Sequence, residues 1–351
     1  MNNFHRFDVI ILHGLWQYPG YAVRKALNHF VQDQLNRGEF IKKAPKLFVM
    51  PHGMLDPYFQ KATGRKLKAF RNWVYWKLIE NKVVNEADGV LFTCEEELLL
   101  AREPFRPYRP KKELNVGYGI TDPPKKTAAM KAAFMEKCPQ LQNRPYLLFL
   151  SRIHEKKGVD LLIQAYSKIV YTSATTESPA LSIAKMSARD CLLKQYENTE
   201  MPALVIVGPG LETPYGHQLQ QIVGLSPKLK NSIHFVGMLS GDSKWGALYG
   251  CEAFILPSHQ ENFGIAVVEA LACSKPVLIS DQINIWKEIF DAGGGLITQD
   301  TLQGTVSLLN RWIELSEAHK VELKTNARKL YETKFSIHSV TKLLLSSILD
   351  K

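Results

Sequence analysis

The sequence has few cysteines and no pattern that would pair them. Five occur in 351 residues, with no C-x-x-C spacing. They are Cys94, Cys138, Cys191, Cys251 and Cys273. An odd and scattered set is typical of reduced thiols in the cytoplasm rather than of a disulfide framework.

Long apolar runs are also missing. No run approaches the roughly 18 residues that a membrane-spanning helix needs, and Met1–Asp8 lacks the apolar core of a signal peptide. Apolar residues make up 45% of the chain and charged residues 22%. These values are typical of a globular protein, and the length suffices for two domains.

The motifs of metal and nucleic-acid sites are absent. There is no Asp-x-Asp, no H-E-x-x-H and no Cys/His cluster, so no metal and no cofactor are expected. No zinc-finger spacing or RNA-binding signature is present, so nucleic acid is not an expected partner.

Acidic residues are the minority charge. Lys and Arg number 44 against 34 Asp and Glu, a net charge of +10. Residues 1–125 hold 20 basic and 13 acidic residues, a difference of +7. A basic region of this kind can meet an acidic substrate or an anionic membrane surface.

Short apolar segments alternate with helical segments along most of the chain. This alternation predicts parallel sheets covered by helices on both faces, with ligands at the carboxyl ends of the strands. The strand candidates are Asp8–His13, Lys46–Pro51, Val90–Thr93, Tyr146–Leu150, Ala203–Gly208, Ile233–Val236, Ala253–Leu256 and Pro276–Ile279. Helices are predicted between them, for example at Tyr21–Asn36, Arg65–Ala87, Gly158–Val170 and Asp242–Tyr249.

The segment Glu261–Cys273 carries the strongest functional signal. It follows a strand and reads E-N-F-G-I-A-V-V-E before an apolar run, so a buried helix begins after Gly264. The lone carboxylate of Glu269 on that helix needs a partner, either a structural Lys or Arg or a ligand hydroxyl. The free N–H groups at the helix start suit an anion.

This segment resembles the E-x7-E donor-site signature of retaining GT-B glycosyltransferases, in particular the group 1, or family 4, type. The resemblance implies an α/β fold with two Rossmann-like domains facing across a cleft. It places Glu261 on the donor hexose and Glu269 on the ribose. The residues between them that meet the donor are Asn262, Phe263, Gly264 and Ile265.

Two cations lie in the loop Leu150–Gly158. Arg152 and Lys157 precede a predicted helix start, and such a pair suits a diphosphate. They match the R-x4-K pair of the family, which implies that they stabilise the departing diphosphate in place of a metal ion. A solvated basic loop remains the alternative.

The segment Phe48–Pro57 places His52 at the tip of a strand. It resembles the P-H-G-M-L-D-P-W motif of a polysaccharide-biosynthesis-like subset of the family, which implies that His52 lies near the reacting centre. A histidine that only fixes the turn is the alternative. Asp56 and Pro57 are predicted to be turn residues.

The segment His13–Gly20 resembles the H-G-L-W segment of the same subset. The resemblance implies that His13, Gly14 and Trp16 line the acceptor side. A structural turn with packed aromatic side chains is an equal alternative.

The segment Gly64–Lys77 is basic, with Phe70, Trp73 and Trp76 interleaved. It fits a helix on an anionic membrane surface, or a core helix with a solvated basic face.

Four segments are expected. Residues 1–125 form an acceptor-side domain, short of the family pattern by one or more βα units. Residues 126–143 form a linker, 144–318 the donor-binding domain, and 319–351 a C-terminal helical segment that returns to the first domain. Residues 171–200 are expected to form a long surface insertion.

The sequence therefore predicts a retaining, metal-independent hexosyltransferase. It would move a hexose from a nucleotide-diphosphate sugar to a saccharide or lipid-linked saccharide. It is expected in the cytoplasm, with peripheral contact to the inner membrane surface left open. The alternatives are a nucleotide-sugar-binding or partner subunit that does not transfer, because its first domain is short, and an epimerase on the same fold.

Overall fold

The computed structural model describes residues 3–36, 44–62, 64–174 and 201–349. Most of the insertion predicted at residues 171–200 lies outside the described residues. The chain divides into two compact units, Met1–Gly119 with Lys334–Lys351, and Ile120–Thr333. Each unit is built on a parallel sheet, so the prediction of an α/β fold with two parallel-sheet domains is confirmed.

The first unit contains a sheet of four parallel strands in the order β1-β2-β3-β4. The apolar runs of β2 and β3 are almost fully buried because helices cover the sheet. The strands are β1 (Val9–His13), β2 (Lys46–Met50), β3 (Gly89–Phe92) and β4 (Glu113–Asn115). The helices are α1 (Tyr18–Asn36), α2 (Tyr58–Lys61), α3 (Lys66–Tyr75), α4 (Asn81–Glu86) and α5 (Glu95–Ala101).

The second unit contains six parallel strands in the order β10-β9-β8-β5-β6-β7. The strands are β5 (Tyr146–Leu150), β6 (Ala203–Val207), β7 (Ile233–Gly237), β8 (Ala253–Leu256), β9 (Val277–Ser280) and β10 (Gly295–Thr298). The helices are α6 (Ala128–Lys137), α7 (Val159–Ala174), α8 (Pro214–Gly224), α9 (Pro227–Ser232), α10 (Gly241–Gly250), α11 (Ile265–Ala272), α12 (Trp286–Asp291), α13 (Leu302–Glu314) and α14 (Glu317–Leu330).

The C-terminal helix α15 (Ile337–Leu349) belongs to the first unit. It follows a π-helical turn, Tyr331–Phe335. Leu344 and Ile348 pack on the sheet beside Met50, and the ammonium of Lys46 donates to the carbonyl of Ile348 at 3.3 Å. These contacts cover one face of the sheet with the last helix of the chain.

Three sequence predictions differ from the structure. The expected linker 126–143 contains α6, which packs against α10 within the second unit. The single helix expected over Arg65–Ala87 is interrupted by a π-helical turn, Trp76–Glu80. Strands β4 and β10 were not predicted, because neither has the apolar run that marks the other strands.

Candidate functional site

The strand order of the second unit reverses between β5 and β8. The chain runs outward from β5 through β6 to β7, and then outward from β8 through β9 to β10 on the other side. A sheet of this order opens a crevice at the carboxyl ends of the two central strands, where ligands bind. The loops that leave these ends are 151–158 and 257–264, which are the two donor-site loops predicted from the sequence.

The two loops are joined by their backbones. The N–H of His259 and the hydroxyl of Ser258 both donate to the carbonyl of Lys156, at 2.9 and 3.0 Å. Gly158 has φ 65°, and a Cβ there would lie 2.0 Å from the carbonyl oxygen of Pro257. Only glycine permits this approach, so the spacing of the loops is set by backbone contact.

Lys157 and Glu261 form an ion pair across this junction. The lysine is 6% exposed and the carboxylate is partly exposed. The N–H of Glu261 donates to the carbonyl of Gln282 at 3.0 Å, and its own carbonyl accepts from the N–H of Asn284 at 3.0 Å. The loop after β9 therefore fixes Glu261, which the sequence did not indicate.

The segment Asn262–Ile265 leads into α11. Gly264 precedes the first helical residue with φ 74°, in the left-handed region that glycine favours. Phe263 is buried, the amide of Asn262 accepts from that of Asn284 at 3.3 Å, and Ile265 is exposed. The first N–H groups of the helix have no acceptor within it and can receive an anion.

Glu269 on α11 has a structural partner. The ammonium of Lys244, on α10, lies 2.6 Å from its carboxylate, and both side chains are partly buried. The sequence left open whether Glu269 meets a structural Lys or Arg or a ligand hydroxyl, and the structure shows a lysine, Lys244. Nothing in the polar segment Ser240–Lys244 indicated this contact, because the two residues meet only when α10 and α11 pack.

Arg152 is exposed and makes no hydrogen bond or ion pair with another residue in the described ranges. The next residue is anchored, because the N–H of Ile153 donates to the carbonyl of Pro209 at 2.8 Å. The guanidinium therefore projects from an anchored backbone in the same loop as Lys157.

In the first unit, His13 and His52 meet at the carboxyl ends of β1 and β2. Nδ1 of His13 lies 2.8 Å from Nε2 of His52, and the rings stack with centroids 5.1 Å apart. Burial lowers the pKa of His52, and the charge of His13 acts in the same direction. The neutral imidazole is therefore favoured at His52, and one of the two facing nitrogens carries no proton.

The turn that carries His52 is anchored by Glu97 on α5. This carboxylate is 3% exposed and accepts hydrogen bonds from the N–H of Gly53 and from the N–H and hydroxyl of Thr93. His52 itself has φ 52°, an unusual value for a residue with a side chain. The sequence reasoning missed Glu97, since it stands in a run of three glutamates that reads as a solvated helix start.

Replacing Glu97 by glutamine should lower the free energy of unfolding by about 2 to 3 kcal/mol, because the amide hydrogens would face the buried N–H donor of either Gly53 or Thr93. Urea unfolding measures this change, and the exposed Glu95→Gln is the matched control. Equal unfolding midpoints for the two variants would show that Glu97 does not hold the turn.

Trp16 packs in an aromatic cluster. Its ring lies 5.3 Å from that of Phe105 and 6.3 Å from that of the fully buried Trp76. The backbone N–H of Trp16 faces the carboxylate of Glu80, which is 1% exposed, and acts to lower its pKa. These contacts favour the structural alternative for Trp16. Gly14, with φ 82°, donates to the carbonyl of Met50 at 2.8 Å and joins the two loops.

Burial raises the pKa of Glu80 from 4.5 to about 7, and the N–H of Trp16 acts in the opposite direction. When a carboxyl has a higher pKa in the folded than in the unfolded chain, the protein loses stability as pH rises from the unfolded-state pKa to the folded-state pKa. Glu80→Gln cannot ionise. As pH rises from about 5 to about 8, the unfolding free energy of Glu80→Gln should therefore increase by roughly 2 to 3 kcal/mol relative to that of the native chain.

Urea unfolding at the two pH values tests this expectation, with the exposed Glu103→Gln as control. If the native chain and Glu80→Gln follow the same pH dependence, the carboxyl of Glu80 does not titrate in this range.

Within the described ranges, no group of three or more His, Cys, Asp or Glu side chains is arranged to hold a metal ion. In the same residues, no helix is long and apolar enough to cross a membrane.

Residues 131–330 match the sequence model of a family described as glycosyl transferases group 1. Among curated proteins, the D-inositol 3-phosphate glycosyltransferase of Geodermatophilus obscurus is 27% identical over 223 residues, which cover 63% of this chain and 44% of the relative. The N,N'-diacetylbacillosaminyl-diphospho-undecaprenol α-1,3-N-acetylgalactosaminyltransferase of Campylobacter jejuni is 26% identical over 156 residues, covering 44% of this chain and 32% of the relative. The chain thus spans less than half the length of these relatives.

Solved structures resemble the whole chain. HepE of Anabaena, in complex with UDP and glucose, superposes with a TM-score of 0.65 at 16% identity, over 100% of this chain and 80% of that one. The sucrose-phosphate synthase of Thermosynechococcus elongatus gives 0.60 at 17% identity, over 98% and 73%. At these identities the likeness shows the fold alone.

Proposed function

The chain belongs to the glycosyl transferases group 1 family, and on that premise we propose that it transfers a hexose from a nucleotide-diphosphate sugar to a hydroxyl of a saccharide or lipid-linked saccharide. The observation that carries the proposal is the Lys157–Glu261 pair at the strand-order reversal of the second unit. It brings a cation and a carboxylate to the crevice where such sheets bind ligands.

The donor's charged end is assigned to the loops around this pair. Arg152, Lys157 and the N–H groups of Phe263, Gly264 and Ile265 would hold the diphosphate. They supply two cations and a helix start to a group with two to three negative charges. Asn262, whose side chain accepts a hydrogen bond from that of Asn284, would keep that helix start in place.

The two glutamates are assigned to the donor's hydroxyl groups. Glu261 would accept from the hexose and Glu269 from the ribose. Each is held by a lysine, Lys157 and Lys244 respectively, so each keeps one carboxylate side for a hydroxyl while its charge stays balanced.

The residues of the first unit are assigned to the reacting centre and the acceptor. His52, kept neutral by burial, would position or polarise a group at the reacting centre. His13 and Gly14 would line the acceptor side, and Trp16 would support that loop through its aromatic neighbours.

We assign the reaction to the retaining, family 4 type without a metal ion, because the leaving diphosphate would be neutralised by the cations and N–H groups named above. The names of the two curated relatives, one acting on D-inositol 3-phosphate and one on a diphospho-undecaprenol saccharide, support the class of reaction. A chain that binds the donor but does not transfer is not favoured by any observation here.

A transfer assay tests the proposal. The full chain is incubated with UDP-, GDP- and ADP-hexoses and a panel of saccharide acceptors, with and without EDTA. Release of nucleoside diphosphate that depends on acceptor, and the product's anomeric configuration by NMR, are the readouts. Nucleotide binding without release would favour a binding subunit, and conversion of the donor sugar without acceptor would favour an epimerase.

A further inference from the structure

Helix α3 and the turn after it carry an exposed apolar surface in the first unit. Four large side chains are solvent-exposed there: Leu67 by 88%, Phe70 by 66%, Trp73 by 50% and Leu78 by 67%. Phe70 and Trp73 stack on one another, with ring centroids 6.2 Å apart. Apolar groups clustered in this way on one helix commonly mark an interaction site.

The same helical segment has a second, buried side. Asn72 is 6% exposed and Trp76 is fully buried against Phe105. The two alternatives stated for this segment therefore apply to different residues: Trp76 belongs to the core, and Phe70 and Trp73 do not. Burial of one side anchors the segment, so that the other side is held out toward solvent.

Basic side chains surround the exposed apolar groups. Lys66, Lys68, Arg71 and Lys77 are all exposed, and the ammonium of Lys77 lies 5.8 Å from the ring centre of Trp73. Between Asp56 and Glu80 the sequence has six Lys and Arg and no acidic residue. We call these four basic and four apolar residues the basic helix surface.

We propose that the basic helix surface docks the first unit on an anionic lipid bilayer. Leucine and aromatic side chains enter the headgroup boundary of a bilayer, and flanking Lys and Arg bind anionic headgroups. An acidic protein would satisfy the charges, but it would not account for the four solvent-exposed apolar side chains among them. The proposal goes beyond the proposed function, since it needs neither donor nor acceptor.

Vesicle co-sedimentation of the full chain tests the docking. Vesicles of phosphatidylcholine alone are compared with vesicles containing about a third phosphatidylglycerol. The chain should bind the anionic vesicles at least about tenfold more tightly, and less so when salt rises from about 0.1 M to about 0.5 M. No binding, or equal binding to both vesicles, would overturn the proposal.

Variants distinguish binding through the basic helix surface from nonspecific binding through any exposed apolar side chain. Phe70→Ser with Trp73→Ser should weaken binding to anionic vesicles by about tenfold or more. Leu225→Ser with Phe290→Ser, at side chains of the second unit that are 85% and 62% exposed, is the matched control and should not change it. Equal losses in both double variants would contradict the assignment of the surface.

Fluorescence then distinguishes insertion from adsorption through charge. Lipids with brominated acyl chains quench tryptophans that reach the bilayer, and Trp73 is one of six tryptophans in the chain. Trp73→Phe should lose most of the quenching while it still binds. Binding without quenching in the native chain would mean that the surface meets only charge and would refute docking by apolar insertion. Sugar transfer, assayed without vesicles, reports separately on the proposed function.

Discussion

Replacing Lys157 by methionine should reduce kcat/KM for sugar transfer by a factor of about 10² to 10³, the usual loss when one fixed charge-stabilising group is removed. In the proposed reaction the departing diphosphate gains negative charge, and a buried ammonium beside it acts without competition from water. Lys157 is 6% exposed, so few other groups can take its place. Kinetics with saturating acceptor measure the change.

Two further variants make this result interpretable. Lys157→Arg keeps the charge and should retain more activity than Lys157→Met. Lys228→Met, at an exposed lysine of the same unit, is the matched control and should behave as the native chain does. Because Glu261 would lose its partner in Lys157→Met, urea unfolding must show that the variant is folded. If folded Lys157→Met transfers sugar at a rate within about threefold of the native rate, Lys157 is not part of the catalytic site.

Replacing Glu269 by glutamine should weaken nucleotide binding by about 10- to 100-fold. A hydrogen bond to a charged group contributes roughly 1.5 to 3 kcal/mol, and each 1.4 kcal/mol corresponds to about a tenfold change in affinity. At a concentration near 100 times its dissociation constant, the nucleotide should stabilise the native chain by about 2.7 kcal/mol. At the same concentration it should stabilise the variant by only about 0.4 to 1.4 kcal/mol.

Thermal unfolding with UDP, GDP and ADP measures both values and identifies the base. Glu322→Gln, at an exposed carboxylate of the same unit, is the matched control. Lys244→Met removes the partner of Glu269 but not its carboxylate, so it should lower stability and still bind nucleotide. If Glu269→Gln and Glu322→Gln respond equally, the ribose assignment is wrong, whereas a native chain that no nucleotide stabilises would put the donor site itself in doubt.

The strands and loops of the second unit could be predicted because they depend on local patterns. A buried parallel strand has a continuous apolar run, and Tyr146–Leu150 and Ala253–Leu256 are of this kind in both sequence and structure. Strand β4, of three residues, begins with Glu113 and has no such run. The π-helical turn Trp76–Glu80 also escapes a sequence argument, because it lies inside a continuous helical segment and contains no proline or glycine that would mark it.

Partners that are distant in sequence could not be predicted. Lys244 and Glu269 are 25 residues apart, and His13 and His52 are 39 apart. Each pair forms only because two elements lie side by side in the folded unit. Glu97 is still harder to predict, because it stands beside two residues of the same type, Glu95 and Glu96, which are more exposed than it is. The sequence therefore indicated candidate side chains, whereas the packing shows what holds each one.

Lys157 and Glu261 are 104 residues apart along the chain but leave neighbouring strands of one sheet. Their separation in space is thus set by strand spacing and by the contact of Gly158 with Pro257, not by the length of the chain between them. Doubling a loop of this kind adds only about 0.6 kcal/mol to the entropy of closing it. Relatives could lengthen or shorten their connections between β5 and β8 and still present the same pair, so the site can persist while the chain around it diverges.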